Sequence, residues 1–391
     1  MSSSINVVMA CKLMPYYRLG VFQKLTAIDE DIEFTFFGDT KVQGGIKQIP
    51  FDYATASNGE SIRWKKTKNY FYKPERLLWQ TGIVKEILKS KYKVFVYEGA
   101  IAHYPIWWFA FLCKLRGKKV LYWTHGNRGD DRGVKKVLRK ILFKYLGDGL
   151  LLYGNYQRNN MIADGYNPDR LFVIYNSLQP EKQFQLLSKL DANQLKITKQ
   201  RLFSNPDNYT LIFIGRLVSH KGVMQILDMI NSFKNEQVLL NCIFIGDGPE
   251  KDKMIDFCTK NALEKQIYFT GALYEEEAIA PYFVMADLMV SPGNVGLNCI
   301  HSLAYGVPVL THSNFTYQNP EVEAIVNGET GVFFEYENMQ DMKINLSSWM
   351  EKKRNTTEIQ LKCHKMINDL YNPDFQSRCI EKAIKTICND L

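Results

Sequence analysis

The sequence predicts an α/β protein built from two doubly wound parallel-sheet domains. Three observations predict it. Short apolar runs alternate with amphipathic helical segments from Ile5 to Ile174. A polar, helix-patterned stretch without strand signals, Gln179 to Asn208, then interrupts the alternation. The alternation restarts at Leu211 and runs to Phe334. A length of 391 residues and a hydrophobic content of 46% allow each half its own buried core and exclude a disordered chain.

In the first half, Ile5 to Met9 reads as a buried parallel strand, and Val21, Phe22, Leu25 and Ile28 mark the helix after it. Ile32 to Phe37 is the next strand. The pattern breaks from Thr40 to Arg76, a stretch rich in Lys, Tyr, Trp and Gly that includes Gly44-Gly45; strands or loops over the sheet edge are expected there. Leu77 to Leu88 is expected as helix, Val94 to Tyr97 as strand, Ile101 to Leu115 as an aromatic helix and Val120 to Trp123 as strand. Val134 to Tyr145 reads as helix, Gly149 to Leu152 as strand, Gln157 to Asp164 as helix and Leu171 to Ile174 as strand.

Gln179 to Asn208 is taken as the junction. In the second half the strands are Leu211 to Ile214, Leu239 to Ile245, Ile267 to Thr270, Leu288 to Val290, Val309-Leu310 and Thr330 to Phe334. The helices between them are Gly222 to Phe233, Glu250 to Lys260, Glu275 to Phe283 and Ile300 to Tyr305, and a last helix spans Phe375 to Cys388. The domains are placed at 1–180 and 181–372.

The eight cysteines are scattered without a CxxC pair, which suggests neither a zinc site nor a disulfide framework. With an N-terminus too interrupted for an export signal, this points to a cytoplasmic protein. The most apolar run, Ile106 to Leu112, is far short of the ~20 residues needed to span a bilayer. A net charge of +8 is moderate for this length and does not argue for nucleic acid; it suits anionic nucleotides or lipid surfaces.

The chemistry-bearing residues cluster at strand ends. Gly215, Arg216 and Lys221 follow a strand and open a helix, where two cations beside a helix N-terminus make a diphosphate clamp. Solvated surface charge is the alternative for both. Gly246-Asp247-Gly248-Pro249 tops the next helix, as a plain turn or as part of the same site. Ser291 to Pro308 reads as strand end, glycine loop (Gly293, Asn294, Gly296, Leu297), short helix and Gly cap. His125 stands at a strand's carboxyl end before Gly126, either as a site residue or as a buried, hydrogen-bonded histidine. No Asp-x-Asp stands at a strand end, and Asp130-Asp131 reads as solvated or salt-bridged.

Taken in order, FIGRLVSHKG, FIGDGPE, TGAL, ADLMVSPGNVGL, LAYGVPVLT and VNGETGVFF resemble the C-terminal domain of glycosyltransferase family 4. That family (group 1) comprises nucleotide-sugar-dependent retaining glycosyltransferases. The series covers roughly residues 210 to 335, and the first half matches more weakly, through Thr124-His125-Gly126 and Tyr175-Asn176-Ser177. The resemblance implies the GT-B fold: two Rossmann-like domains facing across a cleft, an acceptor side first and a donor side second, with the helix at 373–391 packing back on the first. It implies transfer from a nucleotide-diphosphate sugar to a glycan or lipid-linked acceptor in cell-surface polysaccharide or glycoconjugate biosynthesis, retaining and metal-independent, with no cofactor beyond the donor. Arg216 and Lys221 match the basic pair that binds the diphosphate, with His125 lining the cleft. Gly215, Gly246, Gly293, Asn294, Gly296, Leu297, His301 and Glu323 fall at or near the donor pocket; Glu323 reads equally as a helix-surface carboxylate.

One departure stands out. The family's Glu-x(7)-Glu pair falls here on Gly293 and His301, neither a carboxylate. His301 can make one hydrogen bond to a ribose hydroxyl but not the bidentate pair a carboxylate makes. A catalytically degenerate scaffold that binds a partner is therefore the alternative, with a nucleotide-sugar epimerase third. In the first half, Trp107, Trp108, Phe109 and Phe111 precede Lys114, Arg116, Lys118 and Lys119, and lysines stripe Val134 to Tyr145. Two readings stand for these helices: a core face backed by a solvated basic face, or peripheral contact with the inner face of the membrane.

Overall fold

A computed structural model describes residues 4–28, 31–40, 47–54, 61–73, 76–126, 133–352 and 357–389. Gly44-Gly45, Asn127 and Asp130-Asp131 lie outside these. The chain divides into two compact units, Met1–Leu178 with Asn372–Leu391, and Gln179–Tyr371.

The first unit opens with β1 (Ile5–Leu13), α1 (Leu19–Thr26), β2 (Ile32–Asp39), β3 (Trp64–Lys66), β4 (Asn69–Lys73), β5 (Arg76–Gln80) and α2 (Ile83–Leu88). It continues with β6 (Tyr92–Glu98), α3 (Pro105–Leu115), β7 (Lys119–Thr124), α4 (Val134–Lys140), β8 (Gly149–Leu152), α5 (Asn155–Ala163) and β9 (Leu171–Val173). Its parallel sheet has the order β3-β2-β1-β6-β7-β8-β9, so the strand order reverses between β1 and β6. Runs such as Val7 to Met9 and Val94 to Tyr97 are buried because helices cover both faces.

The second unit contains α6 (Pro180–Leu187), α7 (Ala192–Leu202), β10 (Thr210–Ile214), α8 (Val223–Asn235), β11 (Asn241–Ile245), α9 (Lys251–Lys260), β12 (Ile267–Gly271) and α10 (Glu276–Val284). Then come β13 (Leu288–Ser291), α11 (Leu297–Ala304), β14 (Val309–His312), β15 (Gly331–Phe334), α12 (Met339–Lys352) and α13 (Thr357–Leu370). The sheet order is β12-β11-β10-β13-β14-β15, all parallel, with the reversal between β10 and β13. The last helix, α14 (Pro373–Cys388), belongs to the first unit: Ile380, Ala383, Ile384 and Ile387 join the core formed by β1, β2 and α1.

Several expectations are corrected. Leu77 to Leu88 is not one helix: Arg76–Gln80 pairs antiparallel with β4, and left-handed Gly82 (φ 83°) delays the helix to Ile83. The cross-strand ladder and the bond from Gln80 Nε2 to Cys11 O outweigh local helix propensity there. The aromatic helix begins at Pro105, not Ile101, because proline suits the first helical position. Val134 to Tyr145 changes at Ile141 from α to a π turn. The polar stretch from Gln179 to Asn208 carries α6 and α7 of the second unit, and α12 and α13 add two helices to those expected. Six of the eight cysteines are buried, where a free thiol packs as a small apolar group.

Candidate functional site

In doubly wound sheets, ligands bind outside the carboxyl ends of the strands, where the order reverses. In the second unit that place lies between the loop after β10 (Gly215 to Gly222) and the loop after β13 (Pro292 to Gly296). Missing side chains let these loops and the one after β11 interleave. A Cβ at Gly246 would meet Gly215 O at 1.9 Å, and one at Gly293 would meet His220 O at 2.3 Å. Backbone bonds lace the loops: Leu217 N donates to Asp247 O (3.0 Å), Glu250 N to Leu217 O (3.1 Å) and Gly293 N to Lys221 O (3.1 Å).

The loop after β13 is held from further sides. Lys221 Nζ donates to Asn294 O (2.7 Å), and Val295 N to Gln318 Oε1 (2.8 Å). Asn319 Nδ2 donates to Val295 O (2.6 Å), while buried Gln318 also donates to Thr311 Oγ1 (2.9 Å) and His312 O (3.0 Å). The loop is therefore fixed before anything binds, and it delivers the chain into α11 with Gly296 as N-cap. The first-turn N–H groups of such a helix lack intrahelical partners and favour an anion.

Arg216 and Lys221 both stand at this end of the sheet, with different surroundings. Arg216 is exposed, and no described residue pairs with its guanidinium. Lys221 is partly buried, and burial pushes its ammonium pKa down while the charge of Glu321 opposes the shift. Glu321 is buried on the turn Pro320–Ala324, whereas Glu323, singled out from the sequence, is half-buried. Glu321 follows Pro320 in the first turn, the only sequence signal that marked it. Asn294 Oδ1, in the loop after β13, is buried without a hydrogen-bond partner among the described residues.

His301 sits on α11, nearly buried, with Nε2 3.0 and 3.1 Å from the two carboxylate oxygens of Glu276. Tyr305 OH donates to Glu276 Oε2 at 2.6 Å, and Phe283 packs edge-on against the imidazole. Burial raises the Glu276 pKa, but the hydrogen bond and charge of His301 and the Tyr305 hydroxyl outweigh it, so the carboxyl stays below its ordinary value. A carboxylate thus stands beside residue 301 after all, supplied by the start of α10. The signal was the run Glu275-Glu276-Glu277 at a helix start.

A concavity of about 340 Å³ opens beside these two loops, lined by His220, Gln225, Asn294, His312, Tyr317 and Tyr336. Tyr317 stacks on Tyr336 at 5.0 Å, and burial holds the His312 imidazole down at a pKa of about 4.

The first unit has its own reversal, between β1 and β6, and an ion pair between buried Arg18 and half-buried Glu98 occupies it. Arg18 Nη1 donates to Glu98 Oε1 (2.7 Å), Nη2 donates to Tyr153 OH (3.0 Å), and the guanidinium lies 4.6 Å over Trp123. His125 is half-buried, its ring 4.6 Å from that of Tyr153. The structure therefore gathers Gly215, Arg216, Lys221, Gly246, Gly293, Asn294, Gly296 and Leu297 at the carboxyl ends of the central strands β10, β11 and β13. It ties His301 to Glu276 and places His125 beside the Arg18–Glu98 pair of the other unit. Among the described residues no group of His, Cys, Asp and Glu is arranged to hold a metal ion, and no helix is long and apolar enough to cross a membrane.

Two Rossmann-like units in this order define a GT-B architecture. A solved structure of Anabaena Alr3699/HepE in complex with UDP superposes with a TM-score of 0.70, covering 98% of this chain and 100% of that one at 14% identity. The family model described as Glycosyl transferases group 1 matches residues 194–368, and through this segment the chain is related to the group 1 glycosyltransferases. Protein CapJ of Staphylococcus aureus is 24% identical over 75% of this chain and 74% of its own length. The alpha-monoglucosyldiacylglycerol synthase of Acholeplasma laidlawii is 26% identical over 38% of this chain, a stretch spanning only 36% of that protein.

Proposed function

We propose that this protein is a retaining glycosyltransferase that moves a sugar from a nucleotide-diphosphate donor to a glycan or lipid-linked acceptor. The observation that carries the reading is the loop pair at the β10/β13 reversal. There a partly buried lysine, an exposed arginine and a helix N-terminus converge within the segment matched by the group 1 family. The donor diphosphate lies against Arg216, Lys221 and the start of α11. As the bond from the anomeric carbon to the phosphate oxygen breaks, its electron pair stays on the departing nucleotide, while the acceptor hydroxyl oxygen bonds that carbon and its proton passes to the released phosphate oxygen. The two cations and the helix-start N–H groups neutralise that charge, which makes the step metal-independent. Fixed donors of this kind contribute ~3–4 kcal/mol each to such a step. Asn294 Oδ1 accepts a hydrogen bond from a hydroxyl of the donor sugar, and Glu276 with His301 replaces the expected second carboxylate. His125 lies on the acceptor side.

The lipid-linked acceptor is supported by the Acholeplasma laidlawii relative's name, and use of UDP by the Alr3699/HepE complex. The reading places the protein at the cytoplasmic face of the membrane, in polysaccharide or glycoconjugate synthesis. Titration with UDP and GDP, followed by mass spectrometry of the nucleotide sugar retained from a mixed donor pool, tests it. Saturable binding with slow donor hydrolysis is expected. Absence of nucleotide binding at millimolar concentration would overturn it.

A further inference from the structure

The two basic helices of the first unit do not have the ordinary arrangement of apolar side inward and charged side outward. Helix α3 buries Ile106, Phe109, Ala110 and Cys113 against the sheet. Its opposite face carries Tyr104, Trp108, Phe111 and Leu115, at i, i+4, i+7 and i+11. Trp108 is 65% exposed and Leu115 66% exposed. An outward helix face is normally polar.

Helix α4 and the π turn Ile141–Tyr145 repeat the anomaly. Leu142 and Phe143 enter the same core that α3 covers, so the two segments lie on one face of the sheet. Val134, Val137, Leu138, Ile141 and Tyr145, on one side of the helix, face solvent; Val134 is 74% exposed and Tyr145 65%. Only Arg139 of α4 is buried, its Nη1 donating to Gly126 O (2.9 Å). Lys135, Lys136, Lys140 and Lys144 flank this apolar side, and no acidic residue occurs from Val134 to Tyr145; Lys136 is paired with Asp164 (2.8 Å) and Lys144 donates to Gly165 O, which leaves Lys135 and Lys140 as the cations turned to solvent. From Pro105 to Lys119 there is likewise no acid; exposed Arg116 and half-buried Lys119 follow the aromatic face, while Lys114 pairs with Asp148 (2.7 Å) and buried Lys118 donates to the carbonyls of Lys89 and Tyr92.

We infer that this face of the first unit is a docking surface for an anionic lipid bilayer. The charge identifies the occupant. A second copy would bring the same lysines against themselves, whereas the headgroups of an anionic leaflet neutralise them while the acyl boundary takes the apolar stripes. Tryptophan and tyrosine beside lysine is the composition that sits at a membrane–water interface. The consequence for function is that acceptors held in the same leaflet are met from this side. The inference does not rest on the donor-site reading, because the two involve separate residues in separate units.

The test is flotation of the full chain with vesicles of phosphatidylcholine and with vesicles containing phosphatidylglycerol as well. Flotation with the anionic vesicles only, weakened by salt, is expected. Neutralising Lys135→Gln and Lys140→Gln should lower partitioning by roughly fivefold each. Trp108→Ser with Phe111→Ser should abolish it while leaving UDP titration and thermal unfolding unchanged, since these side chains are exposed. Equal binding to neutral vesicles, or none to either, overturns the inference. So does a lysine-sensitive complex with an acidic protein in place of vesicle binding, or a dimer in solution that the Trp108→Ser, Phe111→Ser variant splits.

Discussion

Gly293 lies so close to His220 that any side chain at residue 293 would place its Cβ 2.3 Å from the His220 carbonyl oxygen. The expected first carboxylate is therefore excluded by the backbone, not merely replaced. Gly293→Ala must push apart two loops that share hydrogen bonds. The expected cost is about 1–3 kcal/mol of stability, with a larger fall in nucleotide affinity than in melting temperature. Thermal unfolding and UDP titration of the variant check both.

Arg216 and Lys221 should separate in their effects. Arg216→Ala removes an exposed cation and should leave stability within about 0.5 kcal/mol while cutting donor hydrolysis by roughly a hundredfold. Lys221→Ala should reduce turnover at least as much and also destabilise, since its Nζ holds Asn294 O. Lys221→Arg should not rescue, because a planar fork does not fit a point-charge position. Kinetics on the three proteins beside their melting curves decide this.

Glu321 and Glu323 make a second pair. Glu321 is buried where its charge bears on Lys221, so Glu321→Gln should destabilise by about 1–3 kcal/mol and weaken nucleotide binding. Glu323→Gln should change binding less. Equal effects on titration would return the role to Glu323.

Two groups should shape the acid limb of stability in different pH windows. Glu276 has a folded pKa below its unfolded value of 4.5, so its contribution is complete above that value and is lost as pH falls through the folded pKa. His312 is held down to about 4 from 6.5 by burial, so the unfolded chain binds its proton first. Stability should therefore fall between pH 6.5 and about 4 by up to about 3 kcal/mol, and then level off. His312→Gln should flatten the upper window, and Glu276→Gln the lower one. Urea unfolding at a series of pH values separates them.

Much of the architecture was legible because parallel strands buried on both faces are written as continuous apolar runs, such as Val7 to Met9 and Leu211 to Ile214. Failures came where a distant partner overrode local pattern. Arg76–Gln80 reads as the start of a helix, yet β4 and Cys11 O hold it as a strand. At the site, glycines and cations after strand ends were readable from local spacing. Glu276 and Glu321 were not, because their importance lies in His301 and Lys221, residues 25 and 100 positions away in the chain.

By itself the sequence determined two doubly wound units, the position of a glycine-rich loop after β13, and the absence of carboxylates at 293 and 301. These are local facts of residue type and spacing. Only the tertiary structure decided why residue 293 is glycine, where the carboxylate beside His301 comes from, and which sides of α3 and α4 face water. Each of those depends on which backbone or side chain from elsewhere occupies the neighbouring space, and packing, not spacing along the chain, sets that.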